Sequence, residues 1–143
     1  MLRRGHAFVD PVNLLVLDAG PGEVLGRLLA AGWRVPTEGG LHVILLGGWL
    51  PRPMAGHLER GDAEERDHLR AWAFGPHTVA AAHHEVRGPG GRGHRVTSWD
   101  AARAQAGDDL AAGGLRRLPP SQVITAPDLR GCASDGRAWR LRA

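Results

Sequence analysis

The sequence has a single cysteine, no lysine and few aromatic residues, and each shortage excludes something. Cys132 has no second cysteine to pair with, which excludes an intramolecular disulfide and a thiolate metal cluster. The longest apolar runs, such as residues 43–46, are far too short to span a bilayer. The N-terminus, Met-Leu-Arg-Arg-Gly-His, lacks the apolar core of a signal peptide. We therefore expect a cytoplasmic protein without a membrane span.

The absence of lysine explains an unusually high isoelectric point. The 18 basic residues are all arginines and face 15 acidic residues, so the net charge is only +3 although the sequence pI is about 10.8. Arginine has a very high pKa, which inflates the pI when acids and bases nearly balance. The arginines are scattered and aromatic residues make up 5% of the chain, so no basic stacking platform is evident. We do not expect a nucleic-acid partner.

A chain of 143 residues fits one domain, which buries about 70% of the unfolded chain's surface. Hydrophobic periodicity, turn residues and capping residues predict the order of elements. In sequence these are a strand at 12–17, a helix that begins at Pro21 and ends ahead of Gly32, a strand at 41–46, a long connection at 47–65, a hairpin at 66–86, a helix at 99–112, a strand at 122–125 and an edge strand at 137–142. This order predicts an α+β fold over residues 1–143, with two helices on one face of a largely antiparallel sheet; split βαβ units would make it ferredoxin-like.

Residues 66–86 alternate in the manner of a β-hairpin with two arms around Gly75-Pro76. A two-residue loop would place His68 opposite His83, whereas a three-residue loop would place it opposite His84. Either register brings two imidazoles together, but only the two-residue loop puts Glu85 on the face of His68. Period-two alternation assigns the other residues of the first arm to that same face, namely Arg70, Trp72 and Phe74.

This hairpin face is the candidate functional site. An imidazole carries protons near neutral pH, a guanidinium binds anions as a fork, and a carboxylate can orient an imidazole. The candidate catalytic residues are His68, His83 and Glu85, and the candidate ligand-binding residues are Arg70, Trp72, His94, Asp100 and Arg103. Such a set suits acid–base chemistry on a small, anionic ligand without a cofactor. The histidines that fall in predicted loops or at strand ends are interpreted as incidental; they are His6, His42, His57 and His77.

Several short motifs together resemble the LssY C-terminal domain family over nearly the whole chain. In chain order they are Asp10-Pro11-Val12-Asn13-Leu14, Gly32-Trp33, Arg66-x-His68-x-Arg70-x-Trp72, His94 ahead of Asp100-x-x-Arg103, and Asp135-Gly136-Arg137. The family usually has Asp where this chain has Glu85, and it lacks the paired His83-His84. Its members occur alone and fused behind membrane-embedded modules. The resemblance implies the domain type and no settled biochemical activity.

Other interpretations of the polar residues stay open. The face could be a solvated surface held by cross-strand His–Glu and Arg–Asp pairs. The chain could be a non-catalytic module that docks on a protein or a lipid headgroup through its arginines and residues 47–65. A metal site would need His68, His83 and Glu85 to converge across the strands, with His94 joining from the next segment. The sequence leaves the oligomeric state undetermined, a homo-oligomer included.

Overall fold

The computed structural model describes residues 8–9, 12–36, 42–43, 54–120 and 135–143. The strands are β1 (Phe8–Val9), β2 (Leu14–Leu17), β3 (His42–Val43), β4 (Gly56–Gly61), β5 (Glu65–Phe74), β6 (His77–Arg87), β7 (His94–Ser98), β8 (Arg116–Leu118) and β9 (Trp139–Arg142). The helices are α1 (Pro21–Ala30) and α2 (Asp100–Ala112), and a short 3-10 turn covers Pro89–Gly91. Strands β1 and β3 form a separate parallel pair.

The other seven strands form one sheet in the order β4-β5-β6-β2-β9-β8, with β7 also paired to β6. All of its pairings are antiparallel except β2–β9. The predicted α+β fold with two helices and a mostly antiparallel sheet is therefore confirmed. Strands β2 and β5 flank β6 and both run antiparallel to it, which is the arrangement of a split βαβ unit. The ferredoxin-like pattern is not completed, because β9 runs parallel to β2.

Both helices pack on one face of the sheet. Their buried residues recur at helical spacing, with Val24 and Leu28 on α1 and Ala102, Ala106 and Leu110 on α2. These side chains join the larger apolar core with sheet residues that include Leu14, Val16, Leu58, Leu69 and Ala82. Helix α2 approaches the sheet closely at Gly107, where an added Cβ would lie 2.6 Å from the Cε3 atom of Trp139. Small residues on α2 thus set the distance between helix and sheet.

The helix boundaries follow from local sequence signals. Helix α1 begins at Pro21, which needs no hydrogen-bonded N–H in the first turn, and ends ahead of Gly32, whose φ is +101°. Helix α2 begins at Asp100, and the N–H of Ala101 donates to the Oγ of Ser98 at 3.0 Å. The boundaries of both helices agree with the sequence prediction to within a residue or two.

The structure differs from the sequence prediction at two strands, β4 and β9. The segment 47–65, predicted as a connection, contains strand β4, which carries one core residue, Leu58, and therefore little apolar signal. The last strand is not at the edge of the sheet, because β8, which was not predicted, covers the outer side of β9. The predicted strand at 122–125 and most of the one at 41–46 lie outside the described residues. Among the described residues, no helix has the length and apolar character to cross a membrane.

Candidate functional site

The hairpin of β5 and β6 has the register that a two-residue loop produces. Phe74 pairs with His77 across Gly75-Pro76, and His68 pairs with His83. Gly75 has a φ of +58°, and a positive φ at the first of two turn residues matches the twist of a tight hairpin. His84, the neighbour of His83, therefore points to the opposite face, where its Nδ1 lies 2.7 Å from an oxygen of Asp67.

Alternation along the strands separates an apolar face from a polar one. Leu69 and Ala82 point into the core beneath the helices, so their neighbours His68 and His83 point away from the helices. Strand β4 extends this polar face, because Glu59 pairs with His68 and His57 pairs with Arg70. Many of these side chains are buried although they are polar, namely Glu59, His68, Arg70, His83 and Glu85. We call the seven residues His57, Glu59, Arg66, His68, His83, Glu85 and His94 the imidazole–carboxylate cluster.

Glu85 is the centre of the cluster and contacts three donors. Its Oε1 lies 2.7 Å from Nε of Arg66 and 3.0 Å from Nε2 of His68, while its Oε2 lies 3.1 Å from Nε2 of His83. Burial alone would raise the pKa of this carboxyl, but the hydrogen bonds from His68, His83 and Arg66 outweigh burial and hold its pKa far below the usual range. Glu85 is therefore a carboxylate at every pH at which the protein would work.

His68 links Glu85 to a second imidazole. Its Nδ1 lies 2.7 Å from Nε2 of His57. When Nε2–H of His68 donates to Glu85, Nδ1 is an acceptor, so His57 must donate its own Nε2–H. The ring of His68 lies between the rings of His57 and His83, at centroid distances of 4.9 Å and 5.6 Å. Burial lowers the pKa of His68 below its ordinary value, and Glu85 offsets only part of that effect. His68 is therefore neutral near pH 7.

Arg66 connects the two carboxylates of the cluster. Its Nε contacts Glu85, its Nη1 lies 3.3 Å from Oε2 of Glu59, and its Nη2 lies 3.2 Å from Nδ1 of His94. Oε1 of Glu59 is in turn 3.2 Å from the guanidinium of the more exposed Arg34. The carboxylates are thus neutralised from within the protein, as buried charges must be.

The cluster contains three residues that the sequence prediction did not assign to the site. His57 and Glu59 were missed because they belong to β4, which the prediction treated as part of a connection. Their spacing of two is the strand signal that could have revealed them. Arg66 was missed because it stands at the outer end of the hairpin, opposite Glu85, and its role depends on that pairing.

The structure distributes the predicted ligand-binding residues over both faces. Arg70 shares the face of the cluster, beside His57 and Ala81. Trp72 is fully buried in a second apolar group on that face, together with Val12, Val79 and Ala81. His94 contacts Arg66 at the margin of the cluster.

Asp100 and Arg103 lie elsewhere, on α2 in the helix layer. The guanidinium of Arg103 contacts both oxygens of Asp135, at 2.6 Å and 3.1 Å, and lies 3.4 Å from an oxygen of Asp100. It also donates to the carbonyl of Arg137 at 2.8 Å. These residues attach α2 to the segment that leads into β9, so the structure does not bring them into the cluster.

The donor atoms of the cluster are directed at one another. The two oxygens of Glu85 face nitrogens of Arg66, His68 and His83, and Nδ1 of His68 faces His57. Within the described ranges, no three His, Cys, Asp or Glu side chains are arranged to hold a metal ion. A metal centre built from His68, His83 and Glu85 is therefore not supported by the arrangement of the described donors.

Comparison with known proteins found no matching family model, no matching curated protein and no matching solved structure. The chemistry of the cluster therefore has to be inferred from its own residues and distances.

Proposed function

We propose that this protein binds a small anionic molecule at the polar face of the sheet and exchanges a proton with it, without a cofactor. The observation that carries the proposal is the buried series of contacts from Glu85 through His68 to His57. A carboxylate behind an imidazole fixes its tautomer and stabilises the imidazolium that forms when it takes up a proton. Here the same arrangement is extended by one further imidazole.

The proton would move from the ligand to His68 in two transfers, with His57 between them. The ligand's X–H bond breaks, and its proton binds to Nδ1 of His57, which is the acceptor nitrogen when Nε2 carries hydrogen. The Nε2 proton of His57 then passes to Nδ1 of His68 over the 2.7 Å contact. The resulting imidazolium at His68 lies against the carboxylate of Glu85. The reverse sequence returns the proton to the ligand, and a positioned base of this kind contributes about 10²–10⁴-fold to rate.

Arg70 is the residue that we assign to the anionic group of the ligand. Arg70 lies one pair further along the same face, next to His57, and its side chain is buried beside the imidazole that would exchange the proton. A guanidinium binds carboxylate or phosphate in a two-pronged geometry. The small side chain of Ala81 stands opposite Arg70, and the apolar surface of Trp72 and Val79 follows. The ligand class is therefore a carboxylate or phosphate on a compact, partly apolar body.

We also propose, at the level of the domain, that the chain is a member of the LssY C-terminal domain family. The motif Arg66-x-His68-x-Arg70-x-Trp72 that carries the resemblance is strand β5, which supplies the middle of the site. A site at this motif would then be a property of the domain type, although the additional His83 is particular to this chain.

Ligand binding can be tested by NMR of the histidine rings. Titration with inorganic phosphate, and separately with benzoate and citrate, should produce saturable shifts at His57 and His68 for at least one anion. Arg70→Gln should weaken that binding by about 10-fold or more, because it removes a charge-assisted hydrogen bond. Arg60→Gln is the matched control, since Arg60 is on the adjacent strand and points to the opposite face, toward Asp109.

Three results would contradict the proposal: no saturable shift with any of the anions, equal weakening by Arg60→Gln and Arg70→Gln, or shifts confined to residues outside the face. A purely structural cluster makes a different prediction for His68→Gln, namely a large loss of stability with anion binding unchanged. The proposed site predicts that a folded His68→Gln variant binds the anion more weakly, and His84→Gln on the same hairpin serves as the control for a generic histidine effect.

A further inference from the structure

Two buried carboxylates approach the same nitrogen of His68. Oε1 of Glu85 lies 3.0 Å and Oε2 of Glu59 lies 3.6 Å from Nε2 of His68. Two negative charges at these distances favour the protonated imidazolium, which would have no capacity to accept a proton from a ligand. Burial lowers the pKa of His68, and a positive charge beside the two carboxylates acts in the same direction, because it weakens their stabilisation of the imidazolium.

Arg66 supplies that charge in a fixed orientation. Its guanidinium contacts Glu85 at 2.7 Å and Glu59 at 3.3 Å, and its side chain is 18% exposed. Its third contact is Nδ1 of His94, whose Nε2 lies 3.3 Å from the carbonyl oxygen of Ala63. With Nε2–H donating to that carbonyl, Nδ1 of His94 is an acceptor and holds the outer side of the guanidinium.

We propose that Arg66 is a positioning residue that keeps His68 neutral by binding both carboxylates, and thereby makes the site a proton acceptor at neutral pH. This inference rests on the proposed function for its biological meaning. The effect on His68 itself can be measured without any ligand. The charged and titratable groups that face His68 are His57 and Glu59 from β4, Arg66 and Arg70 from β5, His83 and Glu85 from β6, and His94 from β7.

The charge of Arg66 has a predictable effect on protonation. Removing it leaves Glu85 without a guanidinium partner and Glu59 with only the more exposed Arg34, so the imidazolium becomes more stable and the pKa of His68 rises. Keeping the charge in a lysine preserves most of the effect, although lysine lacks the planar fork that contacts both acids at once. Removing one acid, Glu59, has the opposite consequence, because less negative charge then faces His68.

The experiment is an NMR pH titration of the His68 ring in the ligand-free protein. In Arg66→Gln the pKa of His68 should rise by about one pH unit or more, and in Arg66→Lys it should rise by less than half of that. Arg87→Gln is the control, since Arg87 forms an exposed pair with Glu64 at 2.9 Å and should leave His68 unchanged. An unchanged His68 in a folded Arg66→Gln variant would overturn the inference.

Further variants cover the case in which Arg66→Gln fails to fold. Glu59→Gln alone should lower the pKa of His68, and a rise or no change would refute the assignment. The double variant Glu59→Gln/Arg66→Gln loses one negative and one positive charge near His68, so the pKa of His68 should return toward the wild-type value. These titrations contain no ligand, so failure of anion binding would count against the proposed function and leave this comparison intact.

Discussion

The replacement of Glu85 by glutamine is the sharpest perturbation of the cluster. The Glu85 side chain is 10% exposed and contacts donors from Arg66, His68 and His83. Glutamine keeps the shape, but it removes the charge and directs an NH₂ group at one of these donors. Breaking a buried ion pair costs about 3–5 kcal/mol. Because Arg66 retains Glu59 at 3.3 Å, we expect the lower end, about 3 kcal/mol at pH 7.

This loss can be measured by urea unfolding at a series of pH values. The folded pKa of Glu85 is lowered from its ordinary value of 4.5, so the folded state binds fewer protons than the unfolded state below that value. The stability that Glu85 contributes is therefore complete above about pH 4.5 and is lost as the pH falls further. We expect the difference between wild type and Glu85→Gln to be large at pH 5 and to narrow at pH 3.

A surface pair on the same hairpin provides the control. Glu64 contacts Arg87 at 2.9 Å, but its side chain is 72% exposed. Glu64→Gln should cost less than about 1 kcal/mol, as exposed pairs do. If Glu85→Gln were as mild as Glu64→Gln, the cluster would not be the strongly coupled group inferred here. If the stability difference between wild type and Glu85→Gln did not depend on pH, its cause would be packing and not the charge of Glu85.

Two further predictions concern the helix layer. Gly107→Ala should destabilise the fold by about 2 kcal/mol or more, because the added Cβ would overlap the ring of Trp139. Gly26→Ala in α1 should instead stabilise the fold by about 0.5–1 kcal/mol, because an added Cβ there has no atom within 4 Å. Thermal unfolding of both variants checks this, and equal effects of the two substitutions would contradict it. Asp135→Asn should lower the free energy of unfolding more than Arg103→Met does, because only Asp135→Asn leaves a buried guanidinium with weakened charge compensation. The opposite order in urea unfolding would show that the packing of Arg103 dominates.

The hairpin shows why part of the site could be predicted. Alternation and the Gly75-Pro76 turn are local properties, visible within a few residues. They predict a hairpin with His68 opposite either His83 or His84, and the structure has the first register, in which Glu85 points with His68. The register is decisive because a shift of β6 by one residue would have sent His83 and Glu85 to the helix layer and placed His84 beside His68.

Strand β4 shows why the rest of the site could not be predicted from the sequence. A strand with one core residue, Leu58, has almost no apolar pattern of its own, and it exists because its backbone pairs with β5. Apart from the spacing of two between His57 and Glu59, the local sequence gives little indication of the pairing that brings them into the site. Arg103 is the converse case. Its partner on α2, Asp100, stands three residues earlier, at helical spacing, while its closer partner Asp135 is brought near by the path of the chain into β9.

Local sequence signals suffice for the fold class, both helices and the hairpin that carries His68, His83 and Glu85. Each of these follows from periodicity, caps and turn residues, which act between neighbours along the chain. Only the tertiary structure decided that β9 lies inside the sheet, and that Arg66 and Glu59 complete the cluster. Those outcomes depend on contacts between distant segments, where burial makes charges seek partners across strands.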